Sequence, residues 1–117
     1  VFTLLALVWS NSCFSPKEDL SLALKKHYSS LQWGDIDGAA YSVAPELADA
    51  FYQEWTKALT ARQIAGYKLL RVLLADEGKK AVVQVEFMLY AQNTMIAKKE
   101  IQSHIWERKN NIWKRTQ

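Results

Sequence analysis

The chain is poor in the residues that usually announce chemistry. It has one cysteine and two histidines in 117 residues. A single cysteine excludes an intrachain disulfide. With two histidines at unrelated positions it also leaves no metal-ligand cluster. Glycine and proline are scarce too, four and two, and no glycine-rich phosphate loop, repeat or low-complexity tract occurs. A nucleotide-cradling loop, a repeat array and a disordered chain are therefore not expected, and no cofactor is called for. What is present in quantity is apolar: half of the residues, enough for one domain with a core of ordinary size.

Charge is divided unevenly. Residues 16–61 carry a net −3 and residues 62–117 a net +6. A basic half can draw a chain to nucleic acid or phospholipid. Here the basic residues are scattered apart from pairs such as Lys79-Lys80 and Lys98-Lys99. No basic helix or nucleic-acid module accompanies them, so solvated strand faces are the better account and no nucleic-acid partner is expected.

Val1 to Trp9 is an unbroken apolar run, too short to span a bilayer as a helix. It suits the apolar part of an export signal, with small and polar residues after it. The run starts at valine with no basic residue ahead, so residues 1–14 are expected to be a truncated signal segment and 15–117 the domain. Ser10-Asn11-Ser12-Cys13 resembles the lipobox of bacterial lipoproteins, with Ser10 in place of that motif's usual leucine. The resemblance implies that Cys13 carries a lipid anchor. It makes the protein exported, periplasmic or held at the cell envelope. An ordinary cleaved signal and a short apolar segment that simply packs are the alternatives.

The body opens with a strong helix start. Ser15 as N-cap, Pro16 at the first helical position and Glu18 three after the cap form a capping box. Leu20, Leu24, His27, Tyr28 and Leu31 recur at helical spacing, and Gly34 is the expected stop. Asp35 can cap a short second helix from Ile36 to Ser42. Pro45 opens a third to about Leu59, with Leu47, Phe51, Trp55, Ala58 and Leu59 on its stripe. From about Gln63 the pattern turns to strands: Tyr67–Leu74, Ala81–Ala91, Ile96–Arg108 and Ile112–Arg115.

Two registers are expected. Ala75 opposite Lys79 around the Asp76-Glu77-Gly78 turn places Lys68 by Glu86, Val72 by Val82 and Tyr67 by Phe87. Phe87 opposite Ile101 keeps one face apolar, whereas a slip of one residue puts Phe87 opposite Glu100 and Val83 opposite His104. In the first register Tyr67, Leu69, Leu73, Val83, Val85, Phe87, Leu89, Ile101 and Ile105 face the helices. Lys68, Gln84, Glu86, Met88, Tyr90, Gln102, His104 and Trp106 face away. The fold class is α+β, N-terminal helices on a curved antiparallel sheet of about four strands.

This order of elements, the Gly34-Asp35 break and the closing Asn110-Asn111-Ile112-Trp113-Lys114 hairpin resemble the NTF2-like (nuclear transport factor 2-like) superfamily. A cystatin-like fold is the alternative. The resemblance implies a sheet wrapped into a cone, which in some members holds a ligand or active site and in others is plain core.

An isomerase- or dehydratase-type member would need a polar group inside the cone. His27, His104, Glu86, Asp35, Tyr41 and Arg71 are the candidates. The preferred register places Glu86 and His104 outside. His27 falls on a buried stripe, where a core histidine bonded to backbone is expected, and Asp35 is a cap. Arg71 falls on the helix side, where an unpaired charge is costly. Either it anchors an anionic ligand with Tyr67 and Trp55, or it pairs with Asp35 or Glu54, or a bulge turns it outward. Met88, Tyr90 and Trp106 form an apolar outer patch, and the resemblance implies a homodimer through that face. The reading is a non-enzymatic envelope domain binding a partner or small ligand. The alternative is an enzyme acting on a small apolar substrate in the cone.

Overall fold

A computed structural model describes residues 16–91 and 96–117. Helix α1 runs Pro16–Gln32, α2 Ile36–Ala40 and α3 Pro45–Ala61. They precede four strands: β1 Arg62–Ala75, β2 Lys80–Ala91, β3 Ala97–Lys109 and β4 Ile112–Arg115. The strands form one antiparallel sheet in chain order, β1-β2-β3-β4.

The helical stripes bury as their spacing predicts. Leu20, Leu24, His27, Tyr28 and Leu31 of α1 are all buried, and so are Phe51 and Trp55 of α3. Gly34 ends α1 at φ 76°, with its N–H bonded to the Leu31 carbonyl and that of Asp35 bonded to Ser30. This pair of bonds is a Schellman stop, which a left-handed glycine permits. The Asp35 carboxylate then accepts from the Gly38 N–H at 2.9 Å and starts α2. Ser15, the expected cap of α1, lies outside the described residues. The last turn, Asn110-Asn111 between paired Lys109 and Ile112, has positive φ at both positions, the two-residue turn that matches strand twist. Strand β4 is tied to the link before α3. The Arg115 N–H bonds the Ser42 carbonyl and its own carbonyl accepts from Ala44.

The first register holds in its middle and shifts at its ends. Tyr67 pairs with Phe87 and Lys68 with Glu86 as expected, but Ala75 pairs with Lys80 and Val72 with Val83. Bulges at Ala65 and Leu70 absorb the difference. The extra residue at Leu70 reverses which side of the sheet the following residues face. Arg71 now pairs with Gln84 on the outer face and is exposed, while Val72 takes the helix side and Leu73 moves outward. Keeping a guanidinium in water decides this parity.

The second register corrects the expected one. Phe87 pairs with Glu100, Val83 with His104 and Ala81 with Trp106. The face of β3 toward the helices therefore carries Lys98, Glu100, Gln102, His104 and Trp106. Ile101, more than half exposed, and Ile105 look outward. Apolar tally alone favours the other register. Here one fully buried tryptophan outweighs two isoleucines, because an aromatic buries roughly 150 to 250 Å². The polar residues before it cost little. His104 finds partners, and Glu100 and Gln102 stand where solvent still reaches them.

The register makes opposite demands on two substitutions. Trp106→Ala should cost about 3 to 5 kcal/mol. Ile101→Ala should stay within about 0.5 kcal/mol. Urea unfolding followed by circular dichroism measures both, and the reverse order would restore the Phe87–Ile101 pairing.

Candidate functional site at the mouth of the cone

Alternate residues of β3 build a polar row along the inner face of the sheet, since side chains on one face recur every second residue. The row starts in the core. The Trp106 indole N–H donates to the Tyr28 hydroxyl at 3.4 Å, and that hydroxyl lies 2.6 Å from His104 Nδ1. His104 Nε2 lies 2.9 Å from Gln102 Oε1, and Gln102 Nε2 donates to Glu100 Oε2 at 2.9 Å. At the rim, Arg62 stands 3.9 Å from Glu100.

The end of the row sets its polarity. A carboxylate only accepts, so Gln102 turns its amide nitrogen to Glu100 and its oxygen to His104. His104 then carries its proton on Nε2, and Nδ1 accepts from the Tyr28 hydroxyl. Every donor points outward, from Trp106 to Glu100. Burial, then the charge of Arg115 and then His27, lowers the pKa of His104 to about 3. Burial pushes the Tyr28 phenol up to about 12.

A second buried pair lies beside the row. His27 Nδ1 donates to the Ala39 carbonyl at 2.9 Å, the backbone-bonded core histidine its stripe suggested. Its Nε2 accepts from Arg115 at 3.3 Å, and the guanidinium also lies 5.3 Å from the Phe51 ring centroid. Burial, then the Arg115 charge, lowers the pKa of His27 to about 3. The two imidazoles are thus neutral with protons on opposite nitrogens, and all four ring nitrogens are engaged.

Aromatic rings close the interior. Tyr28, Phe51, Trp55, Phe87 and Trp106 are each at most 5% exposed. At the rim opens a cleft of about 150 Å³ lined by Glu54, Trp55, Arg62, Leu89, Glu100 and Gln102 among others. The Trp55 indole N–H is buried and meets no acceptor within the chain, as does that of Trp113 deeper in the core. Among the described residues no three metal-ligating side chains cluster.

Solved structures share this architecture at low sequence identity. An NTF-2 like protein of unknown function from Shewanella oneidensis superposes with a TM-score of 0.67 at 13% identity, covering 87% of this chain and 95% of that one. The fold is NTF2-like. A ketosteroid isomerase-like protein from Erwinia carotovora matches with a TM-score of 0.62 at 10% identity, over 82% of this chain and 87% of its own. An LEH-like epoxide hydrolase from M. tuberculosis matches at 0.61 and 12%, over 85% and 82%. No protein-family model matches the sequence, and no curated protein matches it. An NTF2-like fold hosts many activities, so it does not choose among them.

Within this NTF2-like cone the expected site residues separate. Trp55 lines the rim cleft. Tyr67 is half-buried beside Tyr28, its hydroxyl 3.4 Å from Ser29. Arg71 leaves the set, exposed on the outer face. Met88 and Tyr90 stay on the outer face, half-buried, but Trp106 is wholly inside and cannot join an outer patch. Glu86 remains outside, 3.8 Å from Lys99. His104 moves inside. Tyr41 is exposed under Lys114. Cys13 lies outside the described residues. Arg62, Glu100, Gln102 and Tyr28 were not among the expected site residues. The period-two row from Lys98 to Trp106 was the available signal, overridden by the rule that apolar residues face in.

Acid should destabilise this protein through its two imidazoles. In the unfolded chain each takes a proton near pH 6.5, but in the folded chain only near 3. Between those values the unfolded state binds more protons, so stability is full above about 6.5 and falls as pH falls. Each histidine should remove roughly 2 kcal/mol between pH 7 and 5. Melts across that range should show the loss, and imidazole NMR signals of the folded protein should not titrate in it. A midpoint near 6.5 for either ring would refute the neutral assignment.

Proposed function

We propose that this is a non-enzymatic, envelope-associated NTF2-like domain that holds a small polar ligand at the rim of its cone. The filled interior carries this reading. The polar groups of the row and of the His27–Arg115 pair are spent on one another, and both histidines lack a free nitrogen to exchange a proton with a substrate. The polar groups left open where the row meets solvent line the rim cleft: a guanidinium, two carboxylates and an amide, beside the ring of Trp55. At about 150 Å³ it is smaller than pockets that take drug-sized molecules. Charges of both signs favour a ligand with its own donors and acceptors over the apolar one expected for a cone.

A ligand held beside the Trp55 ring would shift its indole ¹⁵N–¹H signal, assigned by Trp55→Phe. Acetate, ethylammonium and glycine serve as probes of the two charges and of both together. At least one should move the signal, and Arg62→Ala or Glu100→Gln should abolish the effect. A signal indifferent to all three probes would remove the rim site.

One observation favours an enzyme as the second reading. Glu100 is held by Gln102 and faced by Arg62, which fixes a carboxylate where it could accept a proton from a molecule in the cleft. Hydrolase-like and isomerase-like neighbours share the fold, and Glu100→Gln would then abolish turnover while leaving probe binding in place.

Export and anchoring rest on the apolar run and the Ser12-Cys13 context. The proposal is a mature chain beginning at a lipidated Cys13. Cells grown with labelled fatty acid should label the protein, and Cys13→Ala should lose the label. A second copy on the outer face, around Met88 and Tyr90, remains a proposed partner.

A further inference from the structure

Trp33 follows the last turn of α1 with its indole in water. It falls two residues past Leu31, off the buried stripe, and stays 81% exposed. Its backbone N–H is bonded to the Ser29 carbonyl and Gly34 follows at φ 76°, so the helix stop fixes the backbone that carries the ring. A tryptophan left this bare forgoes the burial that its size would otherwise bring. It lines a second hollow, of about 240 Å³, which shares Leu59 and Arg62 with the rim cleft. Leu31, Leu59 and Ile64 give this hollow apolar walls, and Gln32, Arg62 and Gln63 give it polar ones. A Cβ on Gly34 would meet nothing within 4 Å, so glycine leaves open space beside the indole.

We propose that this hollow binds one sugar ring, stacked on Trp33. A pyranose has faces of C–H groups and an edge of hydroxyls, each hydroxyl both donor and acceptor. The C–H face suits an indole, whose π surface is apolar and electron-rich. The hydroxyl edge suits the polar wall. Gln32 donates Nε2 to the Ala65 carbonyl at 3.3 Å, which orients its amide and leaves Oε1 to accept. The Gln63 amide is exposed and offers both roles. Arg62 faces Glu100 at 3.9 Å, so its charge is partly answered across the rim and it brings N–H donors to the hollow. Other ligand classes fit this lining less well. A cation meets no carboxylate in it, and an anion would have to draw Arg62 from Glu100. A wholly apolar ligand would take amides and a guanidinium out of water unmatched, which is costly. At this volume the hollow takes one ring and not a drug-sized molecule.

The sugar site stands apart from the rim site: Trp33 reports the first and Trp55 the second. The probe is methyl β-glucoside, added up to about 100 mM to the ¹⁵N-labelled full chain. The Trp33 indole ¹⁵N–¹H signal, assigned by Trp33→Phe, should shift with a Kd of about 10 mM. Followed on the Gly34 amide, Trp33→Ala should weaken binding by about tenfold or more and Gln63→Ala by about threefold. Both residues are exposed, so unchanged circular dichroism should accompany each variant. Glycerol has hydroxyls and no ring face, and cyclohexanol has a ring and one hydroxyl. Each should leave the Trp33 signal near its free position at the same concentration. Silence at Trp33, an equal response to glycerol or cyclohexanol, or binding that survives Trp33→Ala overturns the sugar site. Co-sedimentation with purified peptidoglycan tells a wall glycan from a free sugar. Pelleting lost in Trp33→Ala assigns the glycan, and a protein that binds the glucoside but stays in solution assigns the free sugar.

Discussion

The hydrogen bond between Tyr28 and His104 is the contact on which the arrangement of this protein turns. It joins the first helix to the third strand across 76 residues of chain. With the Trp106 indole on the same hydroxyl, it locks β3 to α1 at one height and with one face inward. A one-residue slip of β3 would carry His104 and Trp106 out together and leave the Tyr28 hydroxyl buried without a partner. An unmatched buried hydroxyl costs roughly 1 to 3 kcal/mol before the lost aromatic burial is counted. Register, core and polar row are therefore one decision.

The same decision shapes the chemistry that the cone can support. Once Trp106 and His104 are inside, the residues two and four before His104 must follow them, and Gln102 and Glu100 arrive at the rim. The row runs from a dry end to a wet one. At the dry end the Trp106 indole, the Tyr28 hydroxyl and both imidazoles are matched within the protein, and both imidazoles are held neutral. At the wet end a carboxylate and a guanidinium line a small opening beside the ring of Trp55. The interior thus serves as scaffold, and the end of the row that meets solvent lies at the rim. Arg115, buried beside His27, fits this division. Burial lowers its pKa, Tyr28 and Glu54 work the other way, and two of its nitrogens bond the Gln117 carbonyl and His27.

Much of the architecture was legible from local chemistry. The helix starts and stops followed from Asp35, Gly34 and Pro45, and the final turn from Asn110-Asn111. These features act within a few residues, so a linear reading can weigh them. Lys68 opposite Glu86 was legible for the same reason, a charge pair close to a hairpin. The bulge at Leu70 was foreseen only as one option for Arg71. Its cost is local, but the gain, a guanidinium left in water, depends on which side the helices occupy. The rim site was not legible. Arg62 closes a helix-to-strand junction and Glu100 stands near a strand start, and only the assembled cone brings them within 4 Å.

The sequence by itself determined the order of elements, the stop of α1, the start of α2, the final turn and the buried stripes of the helices. Periodicity and capping are properties of neighbours along the chain, and they carry those features without reference to anything distant. The tertiary structure alone decided which face of β3 is inward, and so whether His104 and Trp106 are surface or core. The pattern of β3 is ambiguous, with isoleucines on one face and a tryptophan and a histidine on the other. Counting apolar residues favours the isoleucines. What reverses the count is a partner for the histidine, and that partner, the hydroxyl of Tyr28, belongs to a helix at the other end of the chain.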